Sequence, residues 1–480
     1  MALTFKSGIY INGQWVLPDG NAVLDVENPA TGEIIASIPA AGRSEALAAV
    51  AAASKAFKSW SNLNANERAG YLRKANALFI ERADEIGRIM TLEQGKPLSE
   101  AVGEVLWGAD YLLWYAEEIR RSNGTIVPSD SLNTRFYLRR RARGVVACIT
   151  PWNFPNAMLL RKIAPAVAAG NTIVAKPAEE TPLSAIKIFE VFHDASFPAG
   201  VLNLVCGEPA PIGDVFIESP EVRQISFTGS TEIGRMLSER GGAQLKKVTV
   251  ELGGVAPFIV FPDADLDVAI SNLMAGKFAN QGQSCVAPNR VLVHQDVFDS
   301  FLAAATKAVN ALRLGHGTSG DYEVGPMISP EAVIRVNTHL ADAKKRGAVV
   351  AAGDLLPIGI DPKRWCSPTI LTNVPKDALV TCEETFGPLI AVEAFTSEEE
   401  MLGSVNASES GLGAYLFTKD LAIAHRVSEA LEYGMVVING ASFGYVQTPF
   451  GGTKGSGDGR EGGQDGLLEY QELQYINLNF

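Results

Sequence analysis

The chain has 480 residues, more than a single hydrophobic core usually serves, so we expect two or three domains. Hydrophobic residues make up 47% of the chain and charged residues 20%, a balance that excludes a disordered or fibrous protein. The formal net charge of -13 argues against a broad surface for nucleic acid or anionic membrane, because such a surface needs clustered positive charge.

A basic run at residues 139–143 is the local exception, and it has two interpretations: a nucleic-acid or targeting patch, or the solvated face of a strand, which we favour. The five cysteines are widely spaced and form no CxxC pair, so we predict neither a disulfide framework nor a metal site and expect a reducing, cytoplasmic location. The N-terminal residues lack the regions of a signal peptide, and every long apolar run is interrupted, so neither secretion nor membrane spanning is expected.

The first segment, to about residue 125, predicts short strands followed by alanine-rich helices. Strand patterns occupy residues 8–16, and Ser44 is the expected N-cap of a helix over 45–60. Residues 134–143 alternate bulky and arginine side chains, which predicts an exposed strand.

The middle of the chain alternates short β-branched runs with amphipathic helical stretches. The predicted strands are 145–149, 172–175, 201–205, 224–227 and 247–250. This spacing indicates βαβ crossovers and a parallel sheet, whose ligands bind at the carboxyl ends of the strands. The loops after these strands are therefore where we expect function.

A second alternating region extends from Pro257 to about Asn439 and predicts another α/β domain. Its clearest elements are strands at 257–261 and 290–294 and helices at 298–313 and 332–346. The glycine-rich segment 449–466 predicts a loop, and 467–478 alternates like a closing strand.

Cys285 ends the polar, glycine-containing stretch 278–285, which differs from the apolar setting of a buried structural cysteine. Such a setting suits an accessible, activated thiol. Two interpretations stay open on this pattern alone, a nucleophile or an inert packing residue.

Glu251 follows directly on the predicted strand 247–250 and precedes two glycines. A carboxylate in a partly apolar setting has a raised pKa, which suits a general base near neutrality. A structural cap for the next element is an equally supported interpretation.

Asn153 lies in the turn Pro151-Trp152-Asn153-Phe154-Pro155, after the strand that ends at Ile149. Pro155 is predicted in the first turn of the following helix. The Asn153 amide is thus placed to donate at the carboxyl end of a strand, as an oxyanion holder would, although a Pro-Trp-Asn turn can also be purely structural.

The stretch 227–234 again has the pattern of a strand, a glycine turn and a helix. Backbone N–H groups at a helix N-terminus bind phosphate, and Ser230 can add a hydroxyl. The glycines do not form GxGxxG and no P-loop lysine follows, so this pattern alone is weak.

Five motifs, in family order along the whole chain, resemble those of the aldehyde dehydrogenase superfamily. They are Pro151-Trp152-Asn153-Phe154-Pro155, Lys176-Pro177-Ala178-Glu179, Glu251-Leu252-Gly253-Gly254, Gly282-Gln283-Ser284-Cys285 and Glu384-Thr385-Phe386-Gly387-Pro388. The resemblance implies an α/β fold with a Rossmann-like NAD(P)-binding domain, a second α/β catalytic domain and a small β oligomerisation arm. The expected bounds are 1–122 with 144–252 and 445–463, then 253–444, then 123–143 with 464–480.

The resemblance also implies a covalent mechanism. Cys285 attacks the aldehyde carbon, the Asn153 amide and the Cys285 N–H hold the oxyanion, and hydride leaves for the nicotinamide. A water activated by Glu251 then hydrolyses the thioester. None of the five histidines lies in these motifs, so no Cys–His dyad is indicated.

Cofactor contacts follow from the same resemblance, with NAD as the expected cofactor. Glu179 favours NAD because its carboxylate accepts ribose hydroxyls and repels a 2′-phosphate, whereas Lys176 would attract that phosphate, so NADP stays open. The expected cofactor-binding residues are Lys176 and Glu179 at the adenosine ribose, Ser230 at the pyrophosphate, Glu384 at the nicotinamide ribose, Phe386 near the nicotinamide, and Trp152, Phe227, Gly229 and Leu252 around them.

The substrate side most resembles succinate-semialdehyde dehydrogenases, through Arg161-Lys162 and Arg460-Glu461-Gly462. Arg161 is either a bidentate carboxylate binder or a surface helix arginine. Phe443 and Tyr445 are the other expected substrate-binding residues. Two departures weaken the assignment: Ala279 replaces a second carboxylate-binding arginine, and Gly444 stands where those enzymes normally offer a serine. Ala287 replaces a second cysteine found in some of them, so no disulfide switch is expected.

Two alternative functions are a CoA-acylating dehydrogenase, against which Glu251 argues, and a non-catalytic NAD-binding member of the fold. The implied partners are a small aldehyde and further copies of the chain. Residues 125–143 and the final strand are expected to pair across a subunit boundary, giving a homodimer or a homotetramer.

Overall fold

The structure is a computed structural model that describes residues 4–318, 320, 322–353 and 355–480. Residues 1–3, the start of the segment in which no leader was predicted, lie outside the described residues. The described chain forms two large sheets flanked by helices and a separate three-stranded sheet, which confirms the predicted α/β class. None of its described helices has the length and apolarity to cross a bilayer. All five cysteines are free.

The first sheet has eight strands. They are β1 (Ile9–Ile11), β2 (Gln14–Val16), β7 (Val145–Ile149), β8 (Thr172–Lys176), β9 (Leu202–Leu204), β10 (Val222–Thr228), β11 (Lys247–Glu251) and β21 (Gly457–Asp458). Their order is β2-β1-β9-β8-β7-β10-β11-β21, and β7 to β11 run parallel. The carboxyl ends of these central strands therefore meet at one edge, as predicted.

Helices cover both faces of this sheet. They are α1 (Arg43–Ser61), α2 (Ala65–Glu81), α3 (Ala83–Gln94), α4 (Leu98–Glu118), α5 (Ala157–Ala169), α6 (Pro182–Asp194), α7 (Pro209–Glu218), α8 (Thr231–Ala243) and α15 (Gly463–Glu469). Alternate residues of a strand face opposite sides. Val146 and Cys148 accordingly join the core beneath α2–α6, while Val145 and Ala147 join the core beneath α1 and α7. Every residue of α5 is buried.

The second sheet has seven strands. They are β12 (Ala256–Val260), β13 (Pro288–His294), β14 (Val349–Ala352), β15 (Thr369–Thr372), β16 (Leu389–Phe395), β18 (Gly413–Phe417) and β19 (Met435–Ile438), in the order β14-β15-β16-β13-β12-β18-β19. Only β14 pairs antiparallel among these strands. The accompanying helices are α9 (Leu266–Phe278), α10 (Phe298–Asn310), α11 (Pro330–Lys345), α12 (Leu379–Cys382), α13 (Glu398–Asn406) and α14 (Leu421–Ala430).

The third sheet, which we call the arm, contains β5 (Thr125–Val127), β6 (Thr134–Ala142) and β22 (Gln471–Asn479). Short pairs β3 (Val23–Glu27) with β4 (Ile34–Pro39) and β17 (Ser410–Gly411) with β20 (Thr453–Lys454) complete the fold. In the arm, Arg139 and Arg141 donate to Gln474 and Glu472 across the β6–β22 pair. The basic run is thus a solvated strand face, the interpretation we favoured.

Several predicted boundaries differ from the structure by a few residues. Helix α1 begins at Arg43 because its N-cap is Gly42, whose N–H donates to the Glu45 carboxylate at 2.7 Å. Helix α5 begins at Ala157, two residues beyond Pro155. The predicted loop 449–466 and the predicted strand 467–478 both overlap helix α15. Leu467 is buried on this helix, and the strand begins only at Gln471.

Candidate active site

A cavity of about 390 Å³ lies between the two large sheets, where the loops that follow β7, β10 and β11 face the segment before β13. It brings together most of the predicted site. The predicted residues that line it are Cys285, Glu251, Asn153, Trp152, Gly229, Ser230, Leu252, Glu384, Phe386, Arg161 and Phe443. The predicted residues that do not are Lys176, Glu179, Phe227 and Tyr445.

Asn153 is buried, and its own hydrogen bonds set the orientation of its amide. The Nδ2 atom donates to the Gln283 carbonyl at 3.0 Å, while Oδ1 accepts from the Phe154 N–H at 3.1 Å. The Gln283 bond uses one amide hydrogen and links the turn after β7 to the segment carrying Cys285. The second hydrogen has no acceptor within the described residues, so it can serve a ligand.

Cys285 is half-buried and follows a tightly coiled segment. Asn280, Gln281 and Gly282 have φ of 49°, 57° and 74°, a left-handed conformation that only glycine adopts freely. At Gly282 a Cβ would lie 2.5 Å from the Gly387 carbonyl oxygen, so no larger residue fits. Burial, and secondarily the charge of Glu384, raise the pKa of Cys285 to about 12. The thiol is therefore protonated at neutral pH in the free protein.

Glu251 is the last residue of β11 and is 5% exposed. Neither of its carboxylate oxygens has a hydrogen-bond partner among the described residues. Burial and then the nearby charge of Glu461 raise its pKa well above the usual value. An unpartnered carboxyl group on the cavity wall is free to hold and exchange a proton.

A buried charge cluster lies beside Glu251. Lys162 Nζ is 2.5 Å from Glu461 Oε1, and Arg161 Nη1 is 3.3 Å from Glu461 Oε2. Burial opposes ionisation of Glu461, but these two cations outweigh it and lower the pKa of Glu461. Glu461 is therefore the carboxyl group of the cluster that ionises more readily, and Glu251 is the one that holds a proton more readily.

Arg161 is 1% exposed, so the interpretation as a surface helix arginine is wrong: α5 is buried between α4 and the first sheet. Its guanidinium carbon lies 4.3 Å, 5.0 Å and 5.5 Å from the ring centres of Phe450, Trp107 and Tyr111. Its Nε atom has no partner within the described part of the chain. This arginine is held by aromatic rings with one donor unused.

Of the two substrate-binding residues predicted after β19, only one lines the cavity in the structure. Phe443 lines the cavity and packs on Tyr415, with ring centres 4.9 Å apart. Tyr445 is 57% exposed and lies outside the lining. Gly444 lines the cavity instead, and its carbonyl accepts from Trp107 Nε1 at 2.6 Å.

At the other end of the cavity, the aromatic rings of Trp152 and Phe386 meet edge to face with centres 5.6 Å apart. Glu384 Oε1 accepts from the Gly254 N–H at 3.2 Å, and burial raises the pKa of Glu384 to about 7. Close approach of this carboxylate requires glycine at 253, where a Cβ would lie 2.2 Å from Glu384 Oε2.

The turn from β10 into α8 places hydroxyl groups at the N-terminus of a helix. Ser230 caps α8 by accepting from the Ile233 N–H at 3.4 Å, and the buried Thr228 hydroxyl has no partner among the described residues. Phe227 packs beneath the turn, since a Cβ on Gly229 would lie 2.5 Å from its ring. An orphaned hydroxyl at a helix N-terminus, next to the aromatic pair, fits a dinucleotide.

Lys176 is the last residue of β8, and Glu179 follows it at the same sheet edge. Their side chains form an ion pair, and Lys176 Nζ also donates to the Pro177 carbonyl at 3.1 Å. The Lys176 carbonyl accepts from the Thr150 N–H at 3.2 Å, which keeps this loop beside the Trp152 turn. Within the described residues, no group of three or more His, Cys, Asp or Glu is placed to hold a metal ion.

Several cavity residues were missed by the sequence analysis, among them Trp107, Met158 and Phe450. Apolar side chains of this kind carry no local signal that separates a pocket from a core. Lys162 and Glu461 entered the sequence analysis only as parts of motifs that resemble those of succinate-semialdehyde dehydrogenases, and no role was predicted for them. Ala279, in contrast, is exposed and does not line the cavity.

Comparison with known proteins agrees with this geometry. The model of the aldehyde dehydrogenase family matches residues 15–476. The chain is 45% identical over 478 residues to a protein of Pseudomonas putida named glutarate-semialdehyde dehydrogenase, covering 100% of this chain and 99% of the relative. It is 45% identical over 473 residues to an Escherichia coli protein named succinate-semialdehyde dehydrogenase [NADP(+)], covering 98% of each.

Among solved structures, an aldehyde dehydrogenase from Brucella melitensis biovar abortus superposes with a TM-score of 0.97 at 44% identity, covering 99% of this chain and 98% of that one. The chain belongs to the aldehyde dehydrogenase family. It is an oxidoreductase that acts on aldehydes with NAD or NADP. The predicted family, fold and enzyme class are confirmed.

Proposed function

We propose that this enzyme oxidises a semialdehyde, an aldehyde with a carboxylate at its far end, to the dicarboxylic acid. The observation that carries the proposal is the charge on the cavity wall. Arg161 lines the cavity, and Lys162 and Glu461 lie behind it, so this cluster has two positive charges and one negative charge. The pKa of Glu251 on the same wall is raised, which favours its uncharged form. This side of the cavity that holds Cys285 therefore has an excess of positive charge, and an anionic substrate complements it.

The aldehyde chain would lie along the apolar part of the cavity. Phe154, Met158 and Phe443 line this part, and Arg161 forms its charged wall. The unused Nε of Arg161 offers a donor to a carboxylate, although the guanidinium also serves Glu461. The names of the two curated relatives, a glutarate- and a succinate-semialdehyde dehydrogenase, support a substrate of this class.

In the proposed mechanism, the Cys285 thiol releases its proton to solvent, and the thiolate attacks the aldehyde carbon and forms a thiohemiacetal. The free amide hydrogen of Asn153 and the Cys285 backbone N–H stabilise the oxyanion. Bound NAD(P) supplies the hydride acceptor for oxidation to the thioester. Glu251 in its ionised form then takes a proton from water, the hydroxide attacks the thioester carbon, and the C–S bond breaks to release the acid and the Cys285 thiolate.

The proposed cofactor site uses the groups at the far end of the cavity. Gly229 and Ser230 would hold the phosphates at the start of α8, Glu384 the nicotinamide ribose, and Trp152 and Phe386 the ring. Phe227 and Leu252 would pack against the bound cofactor. Lys176 and Glu179 would bind the adenosine ribose, and the Glu179 carboxylate makes NAD the preferred form.

Trapping of the acyl enzyme tests this proposal. We expect the Glu251→Gln variant, mixed with NAD and a semialdehyde, to accumulate an acyl group on Cys285 that mass spectrometry of the peptide detects. The Cys285→Ala variant should form neither adduct nor NADH. If wild-type enzyme released product only when CoA was added, the CoA-acylating alternative would replace the hydrolytic one. An enzyme that binds NAD and forms no adduct with any aldehyde would be the non-catalytic alternative.

We further propose that the chain works as a homodimer or homotetramer in the cytoplasm, with the domain bounds given above. Apolar side chains stay exposed on the arm, a pattern typical of a surface that another subunit covers. They are Ile126, Val127, Leu132, Tyr137, Leu473, Tyr475, Leu478 and Phe480.

A further inference from the structure

A buried polar network joins the start of α4 to the turn that carries Asn153. Lys96 is 1% exposed, and its Nζ donates to the Asn153 carbonyl at 2.8 Å and to Glu104 Oε2 at 2.5 Å. The other oxygen of Glu104 accepts from the Asn156 and Ala157 N–H groups at 2.8 Å and 3.1 Å. One ion pair thus holds both the Asn153 backbone and the N-terminus of α5.

The same network reaches the segment before Cys285. Gln94 Nε2 donates to Asn280 Oδ1 at 2.8 Å, and Asn280 Nδ2 donates to the Asn153 carbonyl at 2.9 Å and the Gln283 carbonyl at 3.2 Å. Glu100 Oε2 accepts from the Asn280 N–H at 2.8 Å. Asn280 and Gln281 adopt left-handed backbone angles that cost free energy, so external hydrogen bonds are needed to hold them.

The Asn153 carbonyl is therefore the point where the network converges, with one donor from Lys96 and one from Asn280. Two fixed donors define the peptide plane after Asn153 and thereby the direction in which its side-chain amide leaves the backbone. Neither Lys96 nor Glu104 lines the cavity. Both act at a distance from the reacting atoms.

We propose that Lys96, paired with Glu104, is a positioning residue that aligns the Asn153 amide with the oxyanion formed on Cys285. The inference rests on the proposed role of Asn153. A small displacement of a catalytic group lowers the rate by orders of magnitude, since the donor no longer meets the developing charge. Lys96 thus contributes to acylation without contact to the substrate.

The test measures the rate of the first turnover per titrated active site, together with the thermal midpoint. We expect Lys96→Met to lower this acylation rate about 10- to 100-fold and to leave NAD affinity unchanged. The matched control is Lys187→Met, which removes another buried lysine, on α6, that pairs with Glu85 of α3 and Glu190 of α6. It should lower the thermal midpoint only, because within the described residues Lys187 and Asn153 share no hydrogen-bond partner.

A double-mutant cycle with Asn153→Ala identifies the route of the effect. If Lys96 acts through Asn153, Lys96→Met causes no further loss in the Asn153→Ala background. Losses that multiply, or an unchanged acylation rate in Lys96→Met, overturn the inference. An Asn153→Ala variant with normal acylation overturns instead the proposed oxyanion site, so the two failures are distinguishable.

If the Lys96→Met variant does not fold, a second substitution tests the same network. Gln94→Met removes the bond to Asn280 and introduces no buried charge. We expect a smaller loss of acylation rate, again absent in the Asn153→Ala background. A normal acylation rate in this variant contradicts the proposed network.

Discussion

The guanidinium of Arg161 lies 4.3 Å from the ring centre of Phe450, while its Nη1 pairs with Glu461 at 3.3 Å. This arrangement orients a cation toward the cavity that holds Cys285. The aromatic contact keeps the guanidinium in place even when a substrate carboxylate competes with Glu461 for it. Under the proposed function, a fixed cation of this kind would select among aldehydes by their charge.

Replacing Arg161 with Gln should therefore weaken discrimination between charged and uncharged aldehydes. A charge-assisted hydrogen bond contributes about 1.5 to 3 kcal/mol, so kcat/KM for a semialdehyde should fall about 10- to 100-fold relative to the unsubstituted aldehyde of equal length. The ratio cancels any loss of folded enzyme. Equal losses for both aldehydes would mean that Arg161 has only a structural role.

Alkylation of Cys285 in the free enzyme should accelerate with pH. Burial raises the pKa of Cys285 to about 12, and only the thiolate is nucleophilic, so the reactive fraction rises about tenfold per pH unit below that value. The rate of labelling by iodoacetamide, read on the Cys285 peptide, should increase without a plateau between neutral and alkaline pH. The exposed Cys382 provides an internal control on its own peptide. A plateau near neutrality would contradict a raised pKa.

Loss of the base at Glu251 should affect deacylation and spare the first turnover. We expect Glu251→Gln to lower steady-state kcat about 10²- to 10⁴-fold while a burst of NADH remains. In the wild type, a pKa raised by burial keeps Glu251 protonated at low pH, so kcat should fall as the pH decreases and this fall should vanish in the variant. Stopped-flow absorbance at several pH values checks both points. Loss of the burst itself would assign Glu251 to acylation.

The cofactor preference should depend on the ion pair between Lys176 and Glu179. In Glu179→Gln the repulsion of a 2′-phosphate is removed and Lys176 is released to bind it, so the ratio of kcat/KM for NADP to that for NAD should rise by about tenfold or more. The control is Glu180→Gln, a neighbouring exposed carboxylate. An unchanged ratio in Glu179→Gln would place the 2′-phosphate elsewhere.

Charges on the arm should disrupt assembly. Leu473 and Tyr475 are each 57% exposed on β22, and a Leu473→Asp, Tyr475→Asp double variant would place charge in the proposed subunit contact. Light scattering should show a dimer or tetramer for the wild type and a smaller species for the variant. Leu245→Asp, at a residue 94% exposed outside the arm, is the control and should leave the mass unchanged. A monomeric wild type would end this proposal.

Sequence alone predicted the family, the α/β class and the catalytic and cofactor motifs. These motifs are local: each follows a strand directly, and parallel strands bring their carboxyl ends to one edge, so Asn153, Ser230 and Glu251 had to lie near one another. The start of α1 was less accurate because Gly42, and not Ser44, is its N-cap. Helix α15 was missed because burial of a side chain, such as Leu467, overrides a local pattern.

Tertiary structure alone decided the environment of each charge. Arg161 is buried because α4 and the first sheet enclose α5. After β19, Gly444 lines the cavity, whereas its neighbour Tyr445 is exposed to solvent. Lys96 meets the Asn153 carbonyl across 57 residues of sequence. Side-chain burial and pairing over such separations depend on how whole elements pack, and no spacing along the chain encodes them.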